Sequence, residues 1–124
     1  MSITLSTVVG AGMVFIFIFL SGIWLGRSGR PFNSIVLTFH KLISLAAAVA
    51  LVVILYRANQ VAALSATELA AGVVAGLLFL GTGICGGLLS TDKPMPTLVS
   101  TIHRIAPFLT VFSTAATLCF LLGR

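Results

Sequence analysis

The sequence predicts an all-α membrane protein, an up-down-up-down four-helix transmembrane bundle made of two repeated helical hairpins. Three observations predict it. The 124 residues are 59% hydrophobic and include only seven Lys and Arg and two Asp and Glu. A soluble domain of this size needs far more charge to cover its surface, whereas long apolar runs with almost no charge mark transmembrane helices. Four such runs fit the chain, at about 4–25, 32–56, 69–89 and 98–122. Finally, RPFNSIVLTFHKL at Arg30 to Leu42 recurs 63 positions later as KPMPTLVSTIHRI at Lys93 to Ile105. Pro31, Val36, Thr38 and His40 are matched by Pro94, Val99, Thr101 and His103, and five further pairs keep their chemistry. The chain therefore reads as one transmembrane domain over 1–124, with repeat halves of about 1–61 and 62–124.

Helix 1 passes through VVGAGMVFIFIFLSGIWL, long enough at about 1.5 Å per residue to cross a roughly 30 Å hydrocarbon layer. The stretch before it, MSITLSTVVGAG, has no basic n-region, so a retained helix is expected rather than a cleaved signal peptide. Trp24 falls at the end of helix 1, where an indole prefers the membrane interface. Helix 2 follows the linker GRSGRPFN, and Pro31 suits a helix start, where its missing N–H costs nothing. Ser65-Ala66-Thr67-Glu68 reads as a capping box opening helix 3, which gives Glu68 a local structural task. Helix 3 is rich in glycine. Helix 4 carries Pro107, which removes the helical bond to the His103 carbonyl, and a stripe of Thr110, Ser113, Thr114 and Thr117.

The charge pattern excludes some functions. The net charge of +5 comes from residues beside apolar segments, where they set topology and meet lipid headgroups, so nucleic-acid binding is not indicated. Loops 1 and 3 and their flanks hold Arg27, Arg30, Lys41, Lys93 and Arg104 against Asp92, and the other side holds Arg57 and Arg124 against Glu68. The positive-inside rule places loops 1 and 3 in the cytoplasm of a plasma or inner membrane, with both termini outside. Cys85 and Cys119 are too few and too far apart for a metal-ligand spacing, and are expected near opposite membrane faces, too distant for a disulfide. No nucleophile–base pair, phosphate loop or nucleic-acid motif is present, which argues against catalysis by side chains alone.

The two histidines, His40 and His103, are the chain's only ones and occupy equivalent places in the repeat. Each lies several residues inside a hydrophobic span, where an ionisable group is a functional candidate. Helices 2 and 4 run in the same direction and sit diagonally in a four-helix bundle, so both rings reach the core at one depth. Neutral imidazoles from opposite sides can hold a single haem iron, which makes His40 and His103 the expected metal ligands of one bis-histidine haem b. Room for the macrocycle is expected from Gly22 and Gly26 in helix 1 and Gly83 and Gly87 in helix 3, two GxxxG elements offset by 61. Ordinary close helix packing through GxxxG is the other reading of these glycines. Lys41 and Arg104, each directly after a histidine, and the helix N-termini on that side suit anionic propionates. Arg27, Arg30 and Lys93 are explained as well by topology and headgroup contact. A closed zinc site is disfavoured, because two histidines do not make four ligands.

With these residues in place, the pattern resembles the four-helix membrane b-type cytochromes of the cytochrome b561-like kind. The resemblance covers His40, His103 and the small residues Gly22, Gly26, Gly83 and Gly87, and it is architectural. It implies electron transfer through haem b, with a quinone, a redox partner or a larger membrane complex exchanging electrons. Such proteins carry four ligand histidines and two haems, whereas this chain has histidines for one. The alternatives are a small four-helix transporter or channel, and a structural assembly subunit whose histidines are packing contacts. Small multidrug resistance transporters share the length but need a Glu in helix 1, which is absent here. Fluoride channels share only a loose likeness at Cys85-Gly86-Gly87.

Overall fold

The computed structural model describes residues 3–124 and contains four helices: α1 (Leu5–Ser28), α2 (Ser34–Val61), α3 (Ala66–Leu89) and α4 (Thr97–Leu122). All four are long and apolar enough to cross a membrane, so the protein is a multi-pass membrane protein with an all-α bundle fold. Most large apolar side chains are exposed, as lipid-facing residues must be: Ile35, Phe112 and Leu5 are examples. Trp24 also faces outward.

The duplication seen in the sequence is a duplication of structure. α1 and α3 each have 24 residues and start 61 positions apart, and α2 and α4 start 63 apart. The two extra positions lie in the loop between α3 and α4. α1 packs on α2, α2 on α3, α3 on α4 and α4 on α1. This leaves α2 and α4 diagonal, as the up-down-up-down reading expects.

Local chemistry sets the helix starts. Asn33 caps α2, its side chain accepting from the N–H groups of Ile35 (3.0 Å) and Val36 (3.2 Å). Pro31 therefore does not stand at the first helical position as expected. It precedes Ser34 by three residues because the asparagine side chain supplies the stronger start signal; Pro94 likewise precedes Thr97 by three, although α4 has no side-chain cap. Glu68 and Ser65 form the expected capping box of α3: the Ser65 N–H donates to Glu68 Oε2 (2.7 Å), and the Glu68 N–H donates to Ser65 Oγ (3.2 Å).

α2 runs past Tyr56 to Val61, farther than its apolar run suggests. The cause is Arg124, whose guanidinium donates to the carbonyls of Ala58 (3.2 Å), Ala62 (2.8 Å) and Ala63 (3.2 Å) and pairs with Glu68 at 3.3 Å. At the opposite end of the bundle Arg30 does the same for α3, donating to the carbonyls of Leu89 and Thr91 at 2.6 Å each. One arginine after α4 thus closes the end of α2, and one arginine before α2 closes the end of α3.

The tightest packing lies between α3 and α4, not on the bundle axis. Ala75 and Gly72 of α3 are buried, as are Thr110, Thr114, Thr117, Leu118 and Leu121 of α4. Small residues let the two backbones approach, which is how membrane helices associate when lipid is as apolar as the interface. α4 stays helical through Pro107. The Thr110 hydroxyl donates to the Ala106 carbonyl (2.8 Å) rather than to the His103 carbonyl that the proline frees. The contacts between the two hairpins, α1 with α4 and α2 with α3, are looser.

These ties give a first expected result. Replacing Ser65 with alanine removes one cap and costs about 1 kcal/mol. Arg124→Ala removes the ion pair to Glu68 and the guanidinium bonds to three carbonyls, and lowers the thermal midpoint further than Ser65→Ala. Circular dichroism of both variants in detergent checks the order, and an equal or smaller effect at Arg124 contradicts it.

Candidate paired-histidine site

His40 and His103 are each the seventh residue of their helix, about 9 Å along the axis from its first residue. Parallel diagonal helices place them at one level, and both rings are half-buried. The ring centres lie 6.4 Å apart with planes at 77°. The two imidazoles of the chain thus meet, edge toward face, in the seam between the hairpins.

Each ring is held from behind by the preceding helix of its own half. His40 Nδ1 lies 2.9 Å from Ser21 Oγ. His103 Nδ1 lies 3.1 Å from the Thr82 carbonyl oxygen. Ser21 and Thr82 are each the seventeenth residue of their helix, so the same repeat position serves both histidines. The chemistry of the neighbouring atoms sets the ring proton of His103 and, while Ser21 keeps its present orientation, that of His40. A carbonyl only accepts, so His103 carries its proton on Nδ1. A serine hydroxyl has one hydrogen. Ser21 directs it at the Phe17 (2.8 Å) and Ile18 (3.0 Å) carbonyls, so His40 Nδ1–H donates to Ser21 Oγ. In both neutral rings this leaves the Nε2 lone pair free to ligate.

Two glycines make room for the rings. A Cβ at Gly22 would sit 3.1 Å from His40 Cε1, and one at Gly86 would sit 2.7 Å from His103 Cε1. Gly22 was expected here and Gly86 was not. Gly26, Gly83 and Gly87 approach neither ring: nothing lies within 4 Å of where their Cβ atoms would be, and all three are exposed. The expected match of the two GxxxG elements fails because the ring-facing glycine is the first of the α1 motif but lies one turn further along α3. Ser21, Thr82 and Gly86 escaped the sequence reading. The offset of 61 that pairs Gly22 with Gly83 also pairs Ser21 with Thr82, and that was the available signal.

The neighbouring cations diverge. Lys41 Nζ donates to Ser90 Oγ (2.8 Å) at the end of α3, while its repeat counterpart Arg104 is exposed and makes no hydrogen bond or ion pair among the described residues. Further along the helices from the histidines, α1 meets α4 through Phe19 and Phe108 (5.2 Å) and meets α3 through Phe15 and Phe79 (5.9 Å). Thr82 Oγ1, beside the carbonyl that holds His103, is buried and has no hydrogen-bond partner. Cys85 and Cys119 are free thiols. Among the described residues no three His, Cys, Asp or Glu side chains come together, so no multidentate site is built from protein ligands alone.

The fold and site define a class: a four-span helical bundle that brings two imidazoles together at one depth. Compared with known proteins, the chain matches no family model, no curated protein and no solved structure.

Proposed function

We propose that the protein is a membrane-embedded b-type haem protein that transfers electrons, with one haem b held between His40 and His103. The observation that carries this reading is the spacing of the two rings. An imidazole nitrogen bonds a first-row metal at about 2.0–2.1 Å, and roughly 1.1 Å more reaches the ring centre. Two rings on one metal therefore have centres about 6.3 Å apart. The observed separation is 6.4 Å, and turning the rings from their present edge-to-face pose until both Nε2 atoms point at a common centre would complete the arrangement. The donor set also suits the cofactor. Both Nε2 atoms are bare, both Nδ1–H groups have acceptors, and glycine backbone lies against each ring.

The bound haem would supply one-electron chemistry in which iron changes charge without leaving its ligands. The chain's own part is to hold and to insulate. Ser21 and Thr82 orient the imidazoles, and outer-shell bonds of this kind raise ligand basicity. The phenylalanine pairs further along the helices keep water from the site. Loops 1 and 3 face the cytoplasm of a plasma or inner membrane by the excess of basic residues, which puts the haem near that side. From there the electron partner is a membrane quinone, a redox protein or a neighbouring subunit of a larger complex. Lys41 and Arg104 lie next to the ligands and suit the propionates. A transporter reading has less support: Glu68, the one acid within a helix, is committed to Ser65 and Arg124.

The test is a spectrum. Purified in detergent from haem-replete cells, the protein is expected to be red, with about one haem per chain and a Soret band that sharpens and shifts on dithionite reduction. A folded but colourless preparation that also fails to take up added haemin overturns the proposal.

A further inference from the structure

We infer that the two histidines are unequal: Ser21 is a positioning residue that holds His40 in its ligand-ready tautomer through a replaceable hydroxyl, whereas His103 is locked by backbone. The inference about the rings stands on the hydrogen bonds alone. Its consequence for a bound iron rests on the haem reading above.

The asymmetry follows from what each acceptor can do. The Thr82 carbonyl can accept and never donate, so His103 Nδ1 keeps its proton and Nε2 stays bare. The Ser21 hydroxyl can do both. Its hydrogen now points to carbonyls one turn back, at Phe17 and Ile18. Those carbonyls lie inside α1, where the backbone N–H one turn on already serves them, so the hydroxyl can turn away without stranding either. Rotated toward His40, it donates to Nδ1, and the ring then carries its proton on Nε2, the atom that ligates. His40 therefore has a second hydrogen-bonded neutral state that His103 lacks. The repeat makes the contrast an internal control, because the same helix position bears a hydroxyl residue in both halves. In α3 the hydroxyl is not used: Thr82 Oγ1 has no partner, and its carbonyl does the holding. Toward a bound haem, His103 would be the firmly held ligand and His40 the more releasable one, since its hold depends on a side-chain hydroxyl.

The experiment is nitrogen-15 NMR of histidine-labelled full-length protein in detergent without haem, where protonated and bare ring nitrogens resonate far apart. His40→Gln and His103→Gln assign the two rings. The wild type is expected to show Nδ1–H on both. Ser21→Ala is expected to lower the Nδ1–H to Nε2–H ratio of His40 by roughly 2- to 12-fold, the range set by one hydrogen bond, and to leave His103 unchanged. Ser21→Thr, the residue that α3 carries at this position, is expected to restore the ratio. Thr82→Ala is expected to change neither ring, since the backbone carbonyl remains. A His40 already protonated on Nε2 in the wild type, or one indifferent to Ser21→Ala, overturns the inference whether or not haem binds. In haem-loaded protein, Ser21→Ala is expected to speed carbon monoxide binding to the reduced form, and an unchanged rate overturns the assignment of His40 as the releasable ligand. If the ring results hold while no haem is taken up, the Ser21 assignment stands and the haem reading falls.

Discussion

Replacing either histidine with alanine is expected to abolish the low-spin haem spectrum while leaving the helices intact. The site has two donors and no substitute. No third His, Cys, Asp or Glu lies in a group with them among the described residues, and the free cysteines, Cys85 and Cys119, are not part of the pair. Losing one imidazole would leave a bound haem a single protein ligand. Haem retained per chain should fall by more than the roughly 10- to 100-fold that loss of an outer-shell partner costs. Either substitution should abolish the low-spin spectrum, because each removes one of only two donors. The same substitutions should scarcely change helicity or thermal midpoint, since both rings are only half-buried. Absorbance and circular dichroism on the same samples separate the readings. If the histidines are packing contacts of an assembly subunit, stability falls and there was never colour to lose.

The second large effect is expected at Gly86. A methyl group there meets His103 Cε1 at 2.7 Å, closer than packed side chains tolerate. The helix cannot retreat, because α3 is pressed against α4 along the buried Ala75 and Thr117. The ring must swing aside, which strains its bond to the Thr82 carbonyl. Gly86→Ala is therefore expected to remove haem binding almost as completely as His103→Ala. Gly22→Ala, with a 3.1 Å approach to His40, needs a shift of only a few tenths of an ångström and should weaken binding without eliminating it. Alanine at Gly26, Gly83 or Gly87 meets nothing and should be silent for haem, while gaining helix propensity. Haem content across the five variants gives the ranking. A Gly83→Ala phenotype as severe as that of Gly86→Ala would show that the ring-facing surface of α3 is assigned to the wrong turn.

Glu68 shows how far local pattern carries. Its capping box needs only four consecutive residues, so it was legible, and the structure contains it. Its partner Arg124 was not, because the pairing depends on α2 and α4 ending at the same level of the bundle. Pro31 shows the converse: a valid local preference yielded to Asn33, whose side chain caps two backbone donors. The glycines show the limit of motif matching. GxxxG reports a smooth helix surface, but which turn of that surface faces a ring depends on how the hairpin is rotated, and one turn separates Gly86 from Gly83.

By itself the sequence determined the four spans, the duplication and the identity of the two histidines. Those depend on residue count, hydrophobicity and self-similarity, which are properties of the chain in one dimension. The tertiary structure decided that the imidazoles lie 6.4 Å apart, that Ser21 and the Thr82 carbonyl hold them, and that Gly86 is the residue against His103. The physical reason is that helix rotation and packing distance in a membrane are set by side-chain contacts between helices, closest here where small residues bring α3 and α4 together. Those contacts join positions some twenty residues apart within a hairpin and some sixty apart across the repeat, and no short stretch of sequence records them.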